Sequence, residues 1–291
     1  MLQHKIYVEK DSRRINMTFT TARRTPSYFS RFGLIRQAIL GLSLSLLAFT
    51  VQASRYEDGL MAYAVGNFTQ AGEDFMAAAE AGDAGAEHML MRMFEENKLY
   101  AENLQAETLK WTRRAAEKGV VHAQYSLGKL YAQQVATAKD AVEWLNRAAE
   151  QGHPDAYYQL GLLFANGAGE VRANANESTR LFQIAASEFD VYAQKGSADA
   201  QYKLAGMYQK GLGMKVNMKL ALKWLEKSAL QGHAMAQLSL GRIFALGVDV
   251  PRDTHQARYW LELAAAQGLQ DAEILLSALQ ETDTTVALAF K

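Results

Sequence analysis

The side chains in this sequence that could do chemistry are its histidines, its paired carboxylates, its glycine-rich loops and its tyrosines flanked by bases. Six His are present, and none forms a cluster with metal-ligand spacing. His153 and His233 each directly follow a glycine at equivalent positions of an internal repeat, so they read as helix-start residues. His88 and His122 have no Ser, Cys or carboxylate motif around them, and no G-x-S-x-G nucleophile elbow occurs. The loops G-A-G (167–169) and G-L-G (211–213) join helix to helix and are not followed by Lys-Ser/Thr. They therefore fail both the P-loop and the dinucleotide fingerprints, and turn geometry explains them. Glu95 and Glu96 could be written as an acid–base pair, but neighbouring acids on a helix read as a solvated face. With no Cys in the chain, thiolate nucleophiles, disulfides and iron–sulfur ligation are excluded. No enzyme is expected, and no cofactor or metal.

Composition narrows the class further. The chain has 291 residues, 49% hydrophobic and 21% charged, with only three Pro. That is the make-up of a folded, helical protein. Its 31 bases balance its 31 acids, but the balance hides an asymmetry. Residues 1–36 carry eight bases against two acids, and residues 37–53 carry no charge. The body, 54–291, is left with 23 bases and 29 acids, the wrong sign for a protein that tracks phosphates. No nucleic-acid partner is expected.

The elements that must position any site come from an internal repeat. Gly recurs at 82, 119, 152, 196, 232 and 268, at spacings of 37, 33, 44, 36 and 36. Four residues after each comes Ala (86, 123, 156, 200, 236, 272), and four further on comes Leu (90, 127, 160, 204, 240, 276). The next residue is mostly tiny: Met91, Gly128, Gly161, Ala205, Gly241 and Ser277. An aromatic then follows in five of six cases: Phe94, Tyr131, Phe164, Tyr208 and Phe244. Positions i, i+4 and i+8 share one helical face, and the tiny neighbour lets another helix approach closely. A second helix follows in each unit. Trp111, Trp144, Trp224 and Trp260 sit at one phase of it, with Leu181 in the divergent unit, and a small pair such as Ala148-Ala149 comes four and five residues later. Trp against small residues suits a tight crossing, and the closing Gly can adopt the left-handed conformation that ends a helix. The unit ending at Gly196 has a seven-residue excess after Ala186, about two turns, so its second helix is expected to lengthen in phase.

The pattern A-x-x-x-L-G-x-x-Y, a G-x-G loop, then A-x-x-W-x-x-x-A-A-x-x-G resembles the Sel1-like repeat, a tetratricopeptide-related helical hairpin. The resemblance covers roughly residues 56–280. It implies an all-α fold, a right-handed α-solenoid of antiparallel helix hairpins, used as an adaptor or scaffold for a protein partner. It divides residues 54–280 into a short hairpin (56–82), five full repeats (83–268) and a capping helix (269–280), followed by a tail (281–291). It also implies that variable first-helix positions line a concave surface. Two residues before the repeat Leu stand His88, Tyr125, Tyr158, Tyr202 and Leu238; two after it stand Arg92, Lys129, Leu162, Gly206 and Arg242. His88, Arg92, Tyr125, Lys129, Tyr158, Tyr202 and Arg242 are the binding candidates, an aromatic row flanked by bases that suits an acidic–aromatic peptide or a glycan. The same Tyr residues also read as ordinary packing of the repeat. One branch of the family, with a Cys pair in each repeat, is associated with β-lactams; this chain has no Cys, so that association does not carry over.

The N-terminal segment adds a destination. Ala38 to Val51 is fourteen residues without charge, about 21 Å as a helix and short of the roughly 30 Å hydrocarbon core. Bases precede it and V-Q-A ends it at Ala53, the layout of a signal peptide cleaved before Ser54, with Met17 as a possible true start. An uncleaved leader is the one membrane contact expected. The expectation is an exported, periplasmic or secreted, non-catalytic scaffold in envelope signalling, secretion or assembly. Its rivals are a cell-wall or β-lactam-acting enzyme on the same repeats, and a regulator of a membrane sensor kinase.

Overall fold

The structure is a computed structural model that describes residues 6–7, 55–134, 137–247 and 250–289, with side chains described between 55 and 280. The leader, apart from the backbone of Ile6 and Tyr7, lies outside the described residues. Among them are thirteen helices: α1 (55–64), α2 (Phe68–Glu80), α3 (Ala84–Glu95), α4 (Leu104–Glu117), α5 (Val121–Ala132), α6 (Ala138–Glu150), α7 (Pro154–Asn166), α8 (Ala175–Gln194), α9 (Ala198–Lys210), α10 (Met218–Leu230), α11 (Ala234–Leu246), α12 (Thr254–Ala265) and α13 (Gln270–Ala289). Two short strands, β1 (Ile6–Tyr7) and β2 (Tyr100–Ala101), pair antiparallel with Ile6 opposite Ala101. Among the described residues no helix is long and apolar enough to cross a membrane.

The architecture is all-α, as the repeat predicts, and consecutive helices pack as pairs. First-type helices are α3, α5, α7, α9, α11 and α13, each opening after a repeat glycine. Gly152 has φ +81° with nothing within 4 Å of an added Cβ, so backbone conformation alone demands glycine there. Five second-type helices, α2, α4, α8, α10 and α12, start on polar caps. Asn67, Asn103, Asn174 and Asn217 each accept a backbone N–H from three residues on, and Asp253 accepts two. The repeat aromatic fixes where three of those caps sit, because the backbone N–H groups of Asn174, Asn217 and Asp253 donate to the carbonyls of Phe164, Tyr208 and Phe244. The seven-residue excess is absorbed as expected, since α8 has 20 residues where α10 has 13. The C-terminal boundary differs from expectation: α13 does not stop at Gln280 but continues to Ala289. The run Thr284 to Ala289 contains no Gly or Pro, so nothing in the sequence breaks the helix there.

The chain divides into two compact units, residues 1–134 with 143–151 and residues 135–142 with 152–291. In the first, Phe75, Leu90, Met91, Met93, Phe94, Trp111 and Leu127 form a continuous core, with Trp144 packed on it. Its layers meet where Gly128 faces α6: a Cβ there would stand 2.7 Å from Leu145 Cγ and 3.0 Å from its backbone N. In the second, Gly161 faces Phe182 and Gly241 faces Leu261 in the same way. The large partner is always the residue after the repeat Trp position. Where the first-type helix carries Met91 in place of the tiny residue, that position is Thr112, and both are buried. Volume is exchanged across the pair, which keeps close packing constant.

Candidate functional site

Polar side chains on the first-type helices build three distinct features. The first is internal. Gln124 donates to the Ala116 carbonyl at the end of the preceding helix, and its own oxygen accepts from Gln151 at 2.7 Å. Gln201 does the same with Ala193 and Gln231, and Gln237 with Ala229 and Gln267, both glutamine pairs at 2.7 Å. Each buried amide thereby closes an open helix end and ties two layers together. Glu87 holds this position in α3, where it accepts from Arg114, whose guanidinium also donates to the Ala79 carbonyl. The motif was missed in the sequence although its signal was there: Gln directly after the repeat Ala, and Gln directly before the closing Gly.

The second feature lies in the first unit. The His88 and His122 rings stand 6.2 Å apart and those of His122 and Tyr125 6.3 Å apart, so α3 and α5 present one continuous aromatic row. His88 is half-buried; burial first, then the charges of His122 and Arg92, hold its pKa below the ordinary imidazole value. Arg92 is committed to Glu96 at 3.0 Å. Lys129 is exposed and lines a cavity of about 680 Å³ between α4 and α5, together with His122 and Tyr125. Glu96 is more than the solvated acid expected of it. It accepts from Lys98, Arg92 and Tyr63, and these bonds, Lys98 foremost, hold its pKa down at about 2.

The third feature, in the second unit, is more closed. Tyr158 packs edge-on against Phe182 at 5.6 Å, and burial pushes its hydroxyl pKa up. Tyr202 stacks on His233 at 4.8 Å. Beside it Lys203 bridges Asp155 at 2.6 Å and Asp199 at 2.7 Å. Burial works against the Lys203 charge, but the two carboxylates outweigh it and its pKa is raised. Leu238, the next position of the row, is core, so the aromatic row ends there. Arg242 is exposed. Of the candidate residues, His88, Tyr125 and Lys129 belong to one surface with His122, while Tyr158 and Tyr202 are chiefly packing. Asp155 and Asp199 were not singled out in the sequence, and His122 was weighed only as a catalytic residue and left off the binding row; all three directly precede the repeat Ala, a position whose side chains vary between units.

His233 behaves as a helix start: its Nδ1 accepts the Ala236 N–H at 3.2 Å. The G-L-G loop is likewise a packing device, since a Cβ at Gly213 would stand 2.6 Å from the backbone N of Gln183 on α8. Among the described residues no three His, Asp or Glu side chains converge as a metal ligand set.

A family model described as Sel1 repeat matches residues 104–120, 121–153, 154–188, 198–233 and 234–269. Four of these segments end one residue past a repeat glycine, the phase that the spacing had set. A Sel1 repeat protein from Oxalobacter formigenes has a solved structure that is 25% identical, with 78% of this chain and 99% of that one covered at a TM-score of 0.54. A putative Sel1 repeat protein from Klebsiella pneumoniae is 21% identical over 72% of this chain and 99% of its own, with a TM-score of 0.46. The immunity protein Pa5087 from Pseudomonas aeruginosa is 22% identical over 70% of this chain and 75% of its own, with a TM-score of 0.42. No curated protein matches the chain.

Proposed function

This chain belongs to the Sel1 repeat family, and from that premise we propose that it is an exported, non-catalytic adaptor that binds a protein partner through its first-type helices. Repeat arrays of this kind serve as interaction scaffolds because each layer adds a few side chains to one surface. The observation that carries the reading is the His88–His122–Tyr125 row beside a cavity, a solvent-reachable aromatic and basic surface not used up by the core. The signal-peptide layout of residues 38–53 supports export.

The test is site-specific photocrosslinking from Tyr125, with Glu143 on the exposed face of α6 as the control position. Crosslinks to an envelope protein from Tyr125 and not from Glu143 are expected. Crosslinks only from Glu143 would reverse the assignment of the surface. Turnover of peptidoglycan or of a reporter β-lactam, abolished by one point substitution, would overturn the non-catalytic reading.

A further inference from the structure

The internal layers of the second unit define what a first-type helix receives on its far side. Leu238 and Gly241 of α11 meet the next helix, α12. Leu238 is 3% exposed in a core with Ala257, Leu261 and Ala264, and a Cβ at Gly241 would stand 2.5 Å from Leu261 Cγ. The arriving edge is therefore small, large and small at i, i+4 and i+7, one stripe of a helix. α10 brings the same edge to α9 with Ala221, Leu225 and Ser228, all buried.

α13 carries the receiving half of this joint without an arriving half. Ile274 and Ser277 stand thirty-six residues after Leu238 and Gly241, at the same positions of the repeat. α13 buries Ala272 and Leu279 against α12, yet Ile274 is 59% exposed, with Ser277 and Ala278 exposed beside it. The Ser277 hydroxyl is spent on the Glu273 carbonyl, so it adds little polarity to the stripe. A helix that only ends an array needs a polar outer face, and a large apolar residue beside two small ones is not that. α13 also continues as one helix to Ala289, so the chain up to that point does not turn back over Ile274.

We propose that the outer face of α13, centred on Ile274 and Ser277, docks one amphipathic helix of another protein, which presents a small–large–small edge and carries bases beside it. The proposal rests on the adaptor reading only in that the occupant is a protein; the surface is a different one. Continuity selects a helix, because the same face of α11 is covered by a helix within this chain. Its large residue is Leu or Phe, since Leu145, Phe182 and Leu261 are what meet Gly128, Gly161 and Gly241. A second folded copy has no such edge to offer: α2, α6, α8, α10 and α12 all bury theirs. Charge selects the bases. Asp271 and Glu273 are the charged side chains of α13 between residues 270 and 280, and both are exposed. Opposite charges around a buried apolar contact fix orientation and exclude wrong partners.

The chain's own α10 supplies the probe: a blocked, fluorescently labelled peptide of residues 217–232, which has the required edge and carries Lys219, Lys223 and Lys227 against Glu226. Its binding to the full chain is followed by anisotropy, beside a control peptide with Leu225→Asp. Saturable binding is expected, weakened roughly tenfold or more in the control. In the protein, Ser277→Trp fills the place where Leu225 would rest; it is expected to abolish binding while leaving the unfolding midpoint unchanged, because Ser277 is exposed. Equal affinity for the two peptides, no saturable binding, or binding that survives Ser277→Trp would each overturn the proposal. So would self-association of the unaltered chain that Ser277→Trp abolishes, since the occupant would then be a second copy. The comparison of the two peptides uses the unaltered protein and stands even if the variant fails to fold. Crosslinks from Tyr125 together with failure of the peptide to bind would sink this docking face and leave the adaptor role intact.

Discussion

At the scale of single residues, two glycines of the same repeat are required for different reasons, and substitution separates them. Gly128 is held by its neighbour, with Leu145 Cγ at 2.7 Å from a would-be Cβ. Gly128→Ala is expected to cost about 1–3 kcal/mol by overpacking. Gly152 is held by its φ of +81° in open space, and Gly152→Ala is expected to cost about 1–2 kcal/mol through the left-handed backbone. In denaturant double-mutant cycles, Leu145→Ala should couple to the first and not to the second. The tryptophans also differ from one another. Trp111 is 2% exposed, and Trp111→Ala is expected to cost about 3–5 kcal/mol. Trp144 is only half-buried beneath the Arg147 guanidinium at 4.5 Å, so Trp144→Ala should shift the unfolding midpoint less. Glu96 sets an acid limit. Because its folded pKa of about 2 lies below the ordinary carboxyl value of 4.5, its bonds to Lys98 and Arg92 contribute in full above the ordinary value and are lost as pH falls through about 2. A carboxyl carbon titration should place the Glu96 midpoint there, and Lys98→Met should move it back up.

At the scale of helices, what joins one layer to the next is as much polar as apolar. Gln237 is 4% exposed, donates to Ala229 and accepts from Gln267. Gln237→Leu strands both partners, and buried groups without a hydrogen bond cost about 1–3 kcal/mol each. The expected result is a lowered denaturation midpoint, with faster hydrogen exchange at the end of α10 and the start of α13. A cycle between Gln201 and Gln231 should show positive coupling, whereas Gln237 and Gln124, in different units, should be additive. The lengthening of α8 shows which kinds of insertion this architecture tolerates: seven residues return the buried stripe to the same face after two turns. An insertion of two residues at the same place should rotate Phe189 and Ala193 out of the core and abolish cooperative unfolding of that unit.

At the scale of the whole molecule, the proposed export has a direct readout: intact mass of the protein from envelope fractions is expected to correspond to a chain beginning at Ser54, and a full-length mass would mean a retained leader. Cleavage there would also remove Ile6 and Tyr7, and with them the pairing to Tyr100 and Ala101. The sequence alone determined the repeat and its phase, because a helix forces residues four apart onto one face and a reversed chain needs glycine at its corner. Those constraints are local, so the Ala–Leu–aromatic rungs, the Trp phase and the extended α8 could all be read in advance. The binding row could be read only in part. Tyr158, Tyr202 and Leu238 occupy the same repeat position as Tyr125, yet their surroundings bury or stack them while Tyr125 faces a groove. His122 joined the site only through its distance to His88 on another helix. Neither outcome is written in spacing along the chain, because burial and charge at a side chain depend on how neighbouring helices lean on one another, and that is settled only when the layers pack.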